Sequence, residues 1–386
     1  MNSDFDEAVA TAALNRNFGN RPKTAIALLE HFGSAKAVYN LSREELATLS
    51  FNVRSLIRAD DLTTERGELE ALGKSGICFV GYSQDAYPQL LRECDDPPIG
   101  LYVRSSASPQ KVFAARKRIA IVGTRNASDY GMEWCERLVA ALSRTAQRPC
   151  IVSGLAYGID ICAHRSAVEY NLPTIAVLPT GADTVYPAHH SEFALRMCRT
   201  EDCGIVTDYP PHTYSYKGNF VRRNRIIAGL CDTTILVESR KKGGGMITAN
   251  FAFNYNREVY ALPGRIDDSC SQGCNALIKA KVAEAITDID ELVESLELDH
   301  CSDPTGILTP EQTTARYISV LPQEKVEAIT AVLRLVCSRK GISIEELAVE
   351  LELRYNLAAE IVSILESDGI IRTDLLRRCF YNTKNA

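Results

Sequence analysis

Between residues 77 and 295, short apolar runs alternate with stretches of helical periodicity, and no other feature constrains the fold as tightly. The runs fall at 118–123, 150–153, 174–178, 204–208, 233–237 and 258–261, with helical patterns such as 130–145 and 159–170 between them. Strands separated by helix-length crossovers build βα units on a parallel sheet. The spacing therefore predicts an α/β domain with an extended Rossmann-like, mainly parallel sheet over 72–298. Two further short runs, 78–82 and 100–103, are expected to extend it.

The flanks read differently. Residues 1–71 are helical in pattern: Ala25-Ile26, Leu28-Leu29 and Phe32 repeat at helical spacing, and Ser42 with Glu45 forms a capping box. The turn Gly19-Asn20-Arg21-Pro22-Lys23 resembles that of a helix-hairpin-helix, which either offers amides to a phosphate or serves only packing. A polar stretch with two prolines suggests a linker over 299–322. Three helical patterns (324–339, 344–351, 356–367) and a hairpin (370–382) then suggest a C-terminal winged-helix domain, 323–386. Its third helix carries Glu360 and Glu366 and no base, which makes it a poor reader of the major groove. A protein-docking or structural role is expected there.

The formal net charge is −6, so a general positive field that coats duplex DNA is excluded, and any nucleic-acid site must be a local patch. No run approaches a membrane span, and the acidic start 1–13 has no signal-peptide pattern; a cytoplasmic protein without membrane contact is expected. The 13 cysteines are scattered through apolar segments (Cys78, Cys135, Cys162, Cys231, Cys337) and read as small buried hydrophobes. Cys270 and Cys274 lack a second pair, so no metal site is expected.

Four loops at strand ends carry the chemistry. After the first long run, Gly123-Thr124-Arg125 lets the backbone turn closely and projects a cation at a helix start. Its glycine spacing fits neither a dinucleotide fingerprint nor a Walker loop. Next, Ser153-Gly154-Leu155-Ala156-Tyr157-Gly158-Ile159-Asp160 makes a compact turn able to form an anion nest. Asp160 and His164 share a helix face there; bracing the helix is the favoured reading over an acid–base pair. The strongest signal is 217–225, read as a basic loop. Lys217, Arg222, Arg223 and Arg225 lie within nine positions around Asn219, Phe220 and Asn224. Cations neutralise phosphates and Phe220 offers a face for a base. Finally, Arg240-Lys241-Lys242-Gly243-Gly244-Gly245 adds charge and amides at another strand end. Convergence of such loops on one sheet edge is what a site requires.

Together these segments resemble the DNA-processing protein family DprA, also called Smf. The resemblance rests on Val122-Gly123-Thr124-Arg125, the 153–160 turn with Ala163-His164, and Leu178 through Pro187. It continues through Asn219-Phe220, the block Arg223-Asn224-Arg225-Ile226-Ile227, Gly244 to Thr248, and Leu262-Pro263-Gly264. It implies binding and protection of incoming single-stranded DNA in natural transformation, and loading of the RecA recombinase onto that strand. It also implies a homodimer, a sterile-alpha-motif or helix-hairpin-helix-like N-terminal domain, and a DML1-like winged helix. The family's DNA-holding positions fall on Arg125, Lys217 and Phe220. Two departures stand out. Gly243-Gly244-Gly245 replaces a loop that usually carries serine, and the segment before Phe220 is rich in tyrosine.

The expected DNA contacts are thus Arg125, Ser153, Gly154, Lys217, Asn219, Phe220, Arg222, Arg223, Asn224, Arg225, Lys241, Lys242 and Gly244. No cofactor and no catalytic residue is expected. A nucleotide-hydrolysing enzyme would need an acid after the glycine loop, and Met246-Ile247-Thr248-Ala249-Asn250 supplies none.

Overall fold

The computed structural model describes residues 2–299 apart from 115 and 201, together with 314, 317 and 321–381 apart from 340, 369, 375 and 376. Its first compact unit, Met1–Asp299, is organised by one nine-stranded sheet. The strands are β1 (Ile77–Gly81), β2 (Gly100–Arg104), β3 (Arg118–Val122), β4 (Cys150–Ser153), β5 (Thr174–Val177), β6 (Gly204–Thr207), β7 (Thr233–Leu236), β8 (Glu258–Ala261) and β9 (Glu284–Ala285). Their order is β1-β2-β6-β5-β4-β3-β7-β8-β9, parallel from β6 to β9, with β1 and β2 antiparallel at one edge. The two-residue β9 was not expected, because a strand that short has no period to read.

Both faces of the central strands are buried, as a helix-covered parallel sheet demands. Ala120 and Val122 of β3 face a core with Ile226 and Ala249, from the helices Lys217–Gly229 and Gly244–Asn254. Ile119 and Ile121 face the opposite core with Leu138 and Ala163, from the helices Asp129–Ser143 and Ile159–Glu169. Residues two apart thus share a layer, the period of a strand.

The helices expected as a domain at 1–71 belong to this same unit. Val9, Ala12, Leu69 and Leu72 pack with Ile77 of β1 and Tyr102 of β2, and Asn15 Nδ2 donates to the Asp208 carbonyl at 2.8 Å. The helix Asn2–Phe18 buries two sides at once: Ala10, Leu14 and Phe18 in a helical core with Leu28 and Val38, and Val9 and Ala12 against the sheet edge.

The second unit, His300–Ala386, has its own core around Ile329, Leu333, Leu347, Ile361 and Leu365. It holds helices Gln323–Ser338, Ile344–Glu350 and Tyr355–Ser367. An antiparallel sheet of β10 (Ile342–Ser343), β11 (Ile371–Thr373) and β12 (Arg378–Tyr381) completes it, in the order β10-β12-β11. These are the helices and hairpin expected of a winged helix, with β10 as an addition. Most of the expected linker lies outside the described residues. Among the described residues no helix is long and apolar enough to cross a membrane. Cys135, Cys162 and Cys231 are buried as expected, whereas Cys78 and Cys337 are exposed. Cys78 alternates outward along an edge strand, which apolar composition alone does not reveal.

The chain leaves β3 through β4 and β5 to β6, then returns to lay β7 on the other side of β3. Successive crossovers therefore diverge on either side of β3. That opens a crevice beyond the carboxyl ends of the strands, where open α/β sheets hold ligands.

Candidate nucleic-acid interface

A pocket of about 340 Å³ fills that crevice. Its walls come from the loop after β3 (Gly123, Thr124, Arg125), the turn after β4 (Ala156, Asp160), the helix Lys217–Gly229 and the loop Arg240–Gly245 after β7.

Close backbone approach makes this convergence possible. Gly158 has φ 73°, and a Cβ there would lie 2.2 Å from the Thr124 carbonyl oxygen. Only glycine fits where these two loops cross. The Thr124 amide donates to the Glu238 carbonyl at 2.8 Å, which ties the Arg125 loop to the end of β7. The buried Glu238 carboxylate accepts the Ser128 amide at 2.9 Å and its hydroxyl as well, so it caps the helix Asp129–Ser143 from behind. Glu238 was not among the expected site residues. Its signal is an acid directly after an apolar strand, where burial forces it to find donors.

The segment 217–225 is not a loop but the first nine residues of the helix Lys217–Gly229. Its helical turn sorts the basic residues onto different faces. Arg223 and Arg225 are only 3% and 5% exposed. Arg225 pairs with Asp208 at 3.0 Å and donates to the Asp96 carbonyl. Arg222 pairs with the same Asp208 at 2.7 Å, donates to Asn20 at 2.7 Å, and lies 4.9 Å over the Tyr209 ring. These two arginines, expected to touch DNA, are instead committed to a buried carboxylate on the side away from the pocket. Asn219 is buried too, donating to the Pro179 and Tyr214 carbonyls at 2.9 and 3.2 Å.

Arg223 does line the pocket, as an inner wall. It donates to the Gly154 carbonyl at 2.7 Å and to the Val177 carbonyl. Burial pulls its guanidinium down to about 10, opposed by the nearby Asp160, so it stays charged at neutral pH. Gly154 is needed for this: a Cβ would come within 2.3 Å of Arg223 Nη1. The expected anion nest of the 153–160 turn is thus already engaged within the chain: the Asp160 carboxylate accepts from the Ala156 and Gly123 amides, and Arg223 takes the Gly154 carbonyl. Ser153 is buried, its hydroxyl donating to the Ile121 carbonyl at 2.6 Å. Asn224 bridges Arg223 Nε (3.2 Å) and the Gly244 carbonyl (3.3 Å), and so aligns two pocket helices.

Burial pushes the Asp160 carboxyl up, offset by Arg223 and by backbone hydrogen bonds at Ala156 and Gly123. Four residues on, His164 is fully buried; Thr174 Oγ1 donates to the Ile151 carbonyl (2.8 Å) and so must accept from His164 Nδ1 (2.7 Å). Burial first, and Arg223 second, lower this imidazole to about 3. A histidine that stays neutral and ties its helix to β5 is a brace.

What faces the opening is different in kind. The Arg125 guanidinium sits 4.7 Å over the Phe220 ring, and the Tyr186 ring meets Phe220 edge-on at 5.2 Å. Arg240 and Lys242 line the pocket on the opposite rim, exposed, while Lys241 is exposed outside the lining. Lys217 is exposed one turn before Phe220, outside the pocket lining and on its helix face. Among the described residues no carboxylate pairs with Arg125, Lys217, Arg240, Lys241 or Lys242. Nothing crowds Gly244 at the start of its helix, so the amides there remain approachable. Tyr186 and Arg240 complete the rim and were not among the expected contacts. Tyr186 lies far from the basic segment in sequence, and only folding brings its ring to Phe220.

Such a site is built for polyanions with a planar component: unpaired cations on two rims, amides at a helix start, and one aromatic face. A family model described as DNA recombination-mediator protein A matches residues 78–297. The Protein Smf of Synechocystis is 38% identical over 218 residues, 56% of this chain and 54% of that protein, so the chain spans about half of that relative. The DNA processing protein DprA of Streptococcus pneumoniae is 35% identical over 225 residues, 58% and 77% of the two chains. The Protein Smf of Escherichia coli is 32% identical over 316 residues, 80% of each. Among solved structures, the Streptococcus pneumoniae DprA aligns with TM-score 0.54 at 29% identity, over 63% of this chain and 84% of that one. DNA processing protein A from Helicobacter pylori, described for its single-stranded DNA binding mode, aligns with TM-score 0.51 at 27% identity, over 57% and 95%.

Proposed function

The chain belongs to the DNA recombination-mediator protein A family, and from that premise we propose that it binds single-stranded DNA in the switch-point pocket. Phosphates meet Arg125 and Lys217, and an unstacked base meets Phe220. The observation that carries this reading is the contrast within one helix. Arg222, Arg223 and Arg225 are consumed by the fold, while Lys217 is left to solvent and the half-buried Phe220 lines the pocket beside Arg125. Duplex DNA offers no unstacked base to an aromatic face, so the arrangement favours a single strand. The single-stranded DNA binding described for the Helicobacter pylori relative supports the same ligand.

The reading is of a binding protein rather than an enzyme. Asp160 is the one carboxylate among the described pocket residues, and its place against Arg223 and backbone amides leaves no proton carrier aimed at a ligand. Loading of the RecA recombinase onto the held strand, in natural transformation or recombination, is the finer part of the proposal, together with action as a homodimer. The family's description as a recombination mediator supports it. A shortened lag before RecA hydrolyses ATP on a covered strand, and sedimentation as a dimer, are the outcomes that fit. An unchanged lag or a monomer at micromolar concentration sinks the respective part.

Fluorescence anisotropy with labelled oligothymidine at several salt concentrations tests the site. Arg125→Ala and Lys217→Ala should each weaken binding and lower the salt slope by about one. Phe220→Ala should weaken it by ~1–3 kcal/mol with the slope unchanged. Equal binding by all variants, or a preference for duplex, refutes the site.

A further inference from the structure

The two most exposed tyrosines among the large apolar side chains lie together, just outside the pocket. Tyr214 is 79% and Tyr216 67% exposed. They sit in a segment that is fixed, not loose. The Gly181 amide donates to the Thr213 carbonyl (3.1 Å), the Thr213 hydroxyl to the Pro210 carbonyl (2.7 Å), and Asn219 Nδ2 to the Tyr214 carbonyl (3.2 Å). The Tyr216 ring lies against Gly218, where a Cβ would come within 2.6 Å of it, so a side chain at 218 would displace the ring. Large rings held out into water by an ordered backbone are a surface waiting for a flat apolar partner.

Their neighbours give that partner a charge. Tyr216 directly precedes Lys217, and Phe220 follows one turn later, so the rings adjoin the pocket across an unpaired cation. On the far side, Arg222 joins this helix to the N-terminal turn through Asn20 at 2.7 Å, with Gly19 packed on its guanidinium. Arg21 and Lys23 of that turn are exposed, and no carboxylate pairs with either among the described residues. Phe220, Lys217, Tyr216 and Tyr214 thus set rings and a free cation along one stretch of chain, and Arg222 ties their helix to the turn that carries the free cations Arg21 and Lys23.

We propose that this path is a second segment of the single-strand site. A strand seated at Phe220 leaves the pocket over Lys217, stacks bases on Tyr216 and Tyr214, and passes its backbone to Arg21 and Lys23. The proposal rests on the pocket reading above and gives the bound strand a direction: toward the N-terminal helices, away from Gly244. Rings and cations set together suit a strand with periodic phosphates and bases better than a protein partner.

The test uses the full chain and labelled oligothymidines of about four and about sixteen nucleotides. The double variant Tyr214→Ala/Tyr216→Ala should bind the short oligomer as the wild type does and the long one at least about thirtyfold more weakly. The variant Tyr214→Phe/Tyr216→Phe, which keeps both rings, should bind both lengths normally. Arg21→Ala/Lys23→Ala should lower the salt slope for the long oligomer alone. Unchanged binding of the long oligomer by the alanine variant, or equal weakening at both lengths, overturns the second segment while leaving the pocket in place. Failure of the wild type to bind either length overturns the pocket reading itself, and the path with it.

Discussion

At the residue scale, the same side-chain type plays opposite parts according to its environment. Arg225 shares buried Asp208 with Arg222, and Arg223 fills a cage of carbonyls, while Arg125 rests on an aromatic ring at the surface. A cation over a ring is held weakly, by ~0.5–1 kcal/mol at an exposed site, so a phosphate can draw Arg125 away at little cost. Arg125→Lys is not conservative here, since a lysine neither lies flat on Phe220 nor grips a phosphate bidentately. His164 offers a prediction of another kind. Burial lowers its folded-state value to about 3, below the ordinary 6.5. On acidification the unfolded chain takes up this proton first, so stability is full above pH ~6.5 and falls as the pH drops toward the folded value. From pH 7 to pH 5 the loss is about 2 kcal/mol. Urea denaturation at both pH values should show this loss in the wild type and a pH slope smaller by that amount in His164→Asn. An identical slope in both proteins contradicts the buried neutral assignment.

At the element scale, the pocket is made by helices that glycines allow to approach. Gly154→Ala should cost ~3 kcal/mol, because the new methyl would displace Arg223 from its carbonyls and leave a buried cation short of partners. Gly244→Ala should cost nothing and gain up to ~1 kcal/mol, since nothing lies near it and alanine suits a helix start better. Urea midpoints of the two variants decide this; a loss at Gly244 as large as that at Gly154 contradicts the packing described. The same elements show what was legible. The parallel strands were readable because burial on both faces leaves short, mostly apolar runs whose polar residues sit at their ends. The first half of the helix Lys217–Gly229 was not, because the buried positions ahead of Ile226 are Asn219, Arg223, Asn224 and Arg225, all polar, and they erase the apolar stripe. Hence sequence alone presents the four cations as one phosphate-holding loop, when a helical turn sends two of them to Asp208. Arg125 and Phe220 could be proposed from sequence, but their contact, and Tyr186 beside it, are products of the switch in strand order.

At the scale of the whole molecule, a net charge of −6 coexists with a cationic rim because the acids that match it are elsewhere or already paired. The protein's attraction for a polyanion is then local and directional, which favours a threaded strand over a coated duplex. The strand proposed for this site lies at the carboxyl ends of β3 and β7. Photocrosslinking of a 4-thiothymidine oligonucleotide to the full chain, followed by peptide mapping, tests it most directly. Crosslinks are expected in the peptides that carry Phe220 and Arg125, competed by unlabelled single strand and not by duplex. Crosslinks confined to the helices and hairpin of 323–381, or equal competition by duplex, would contradict it.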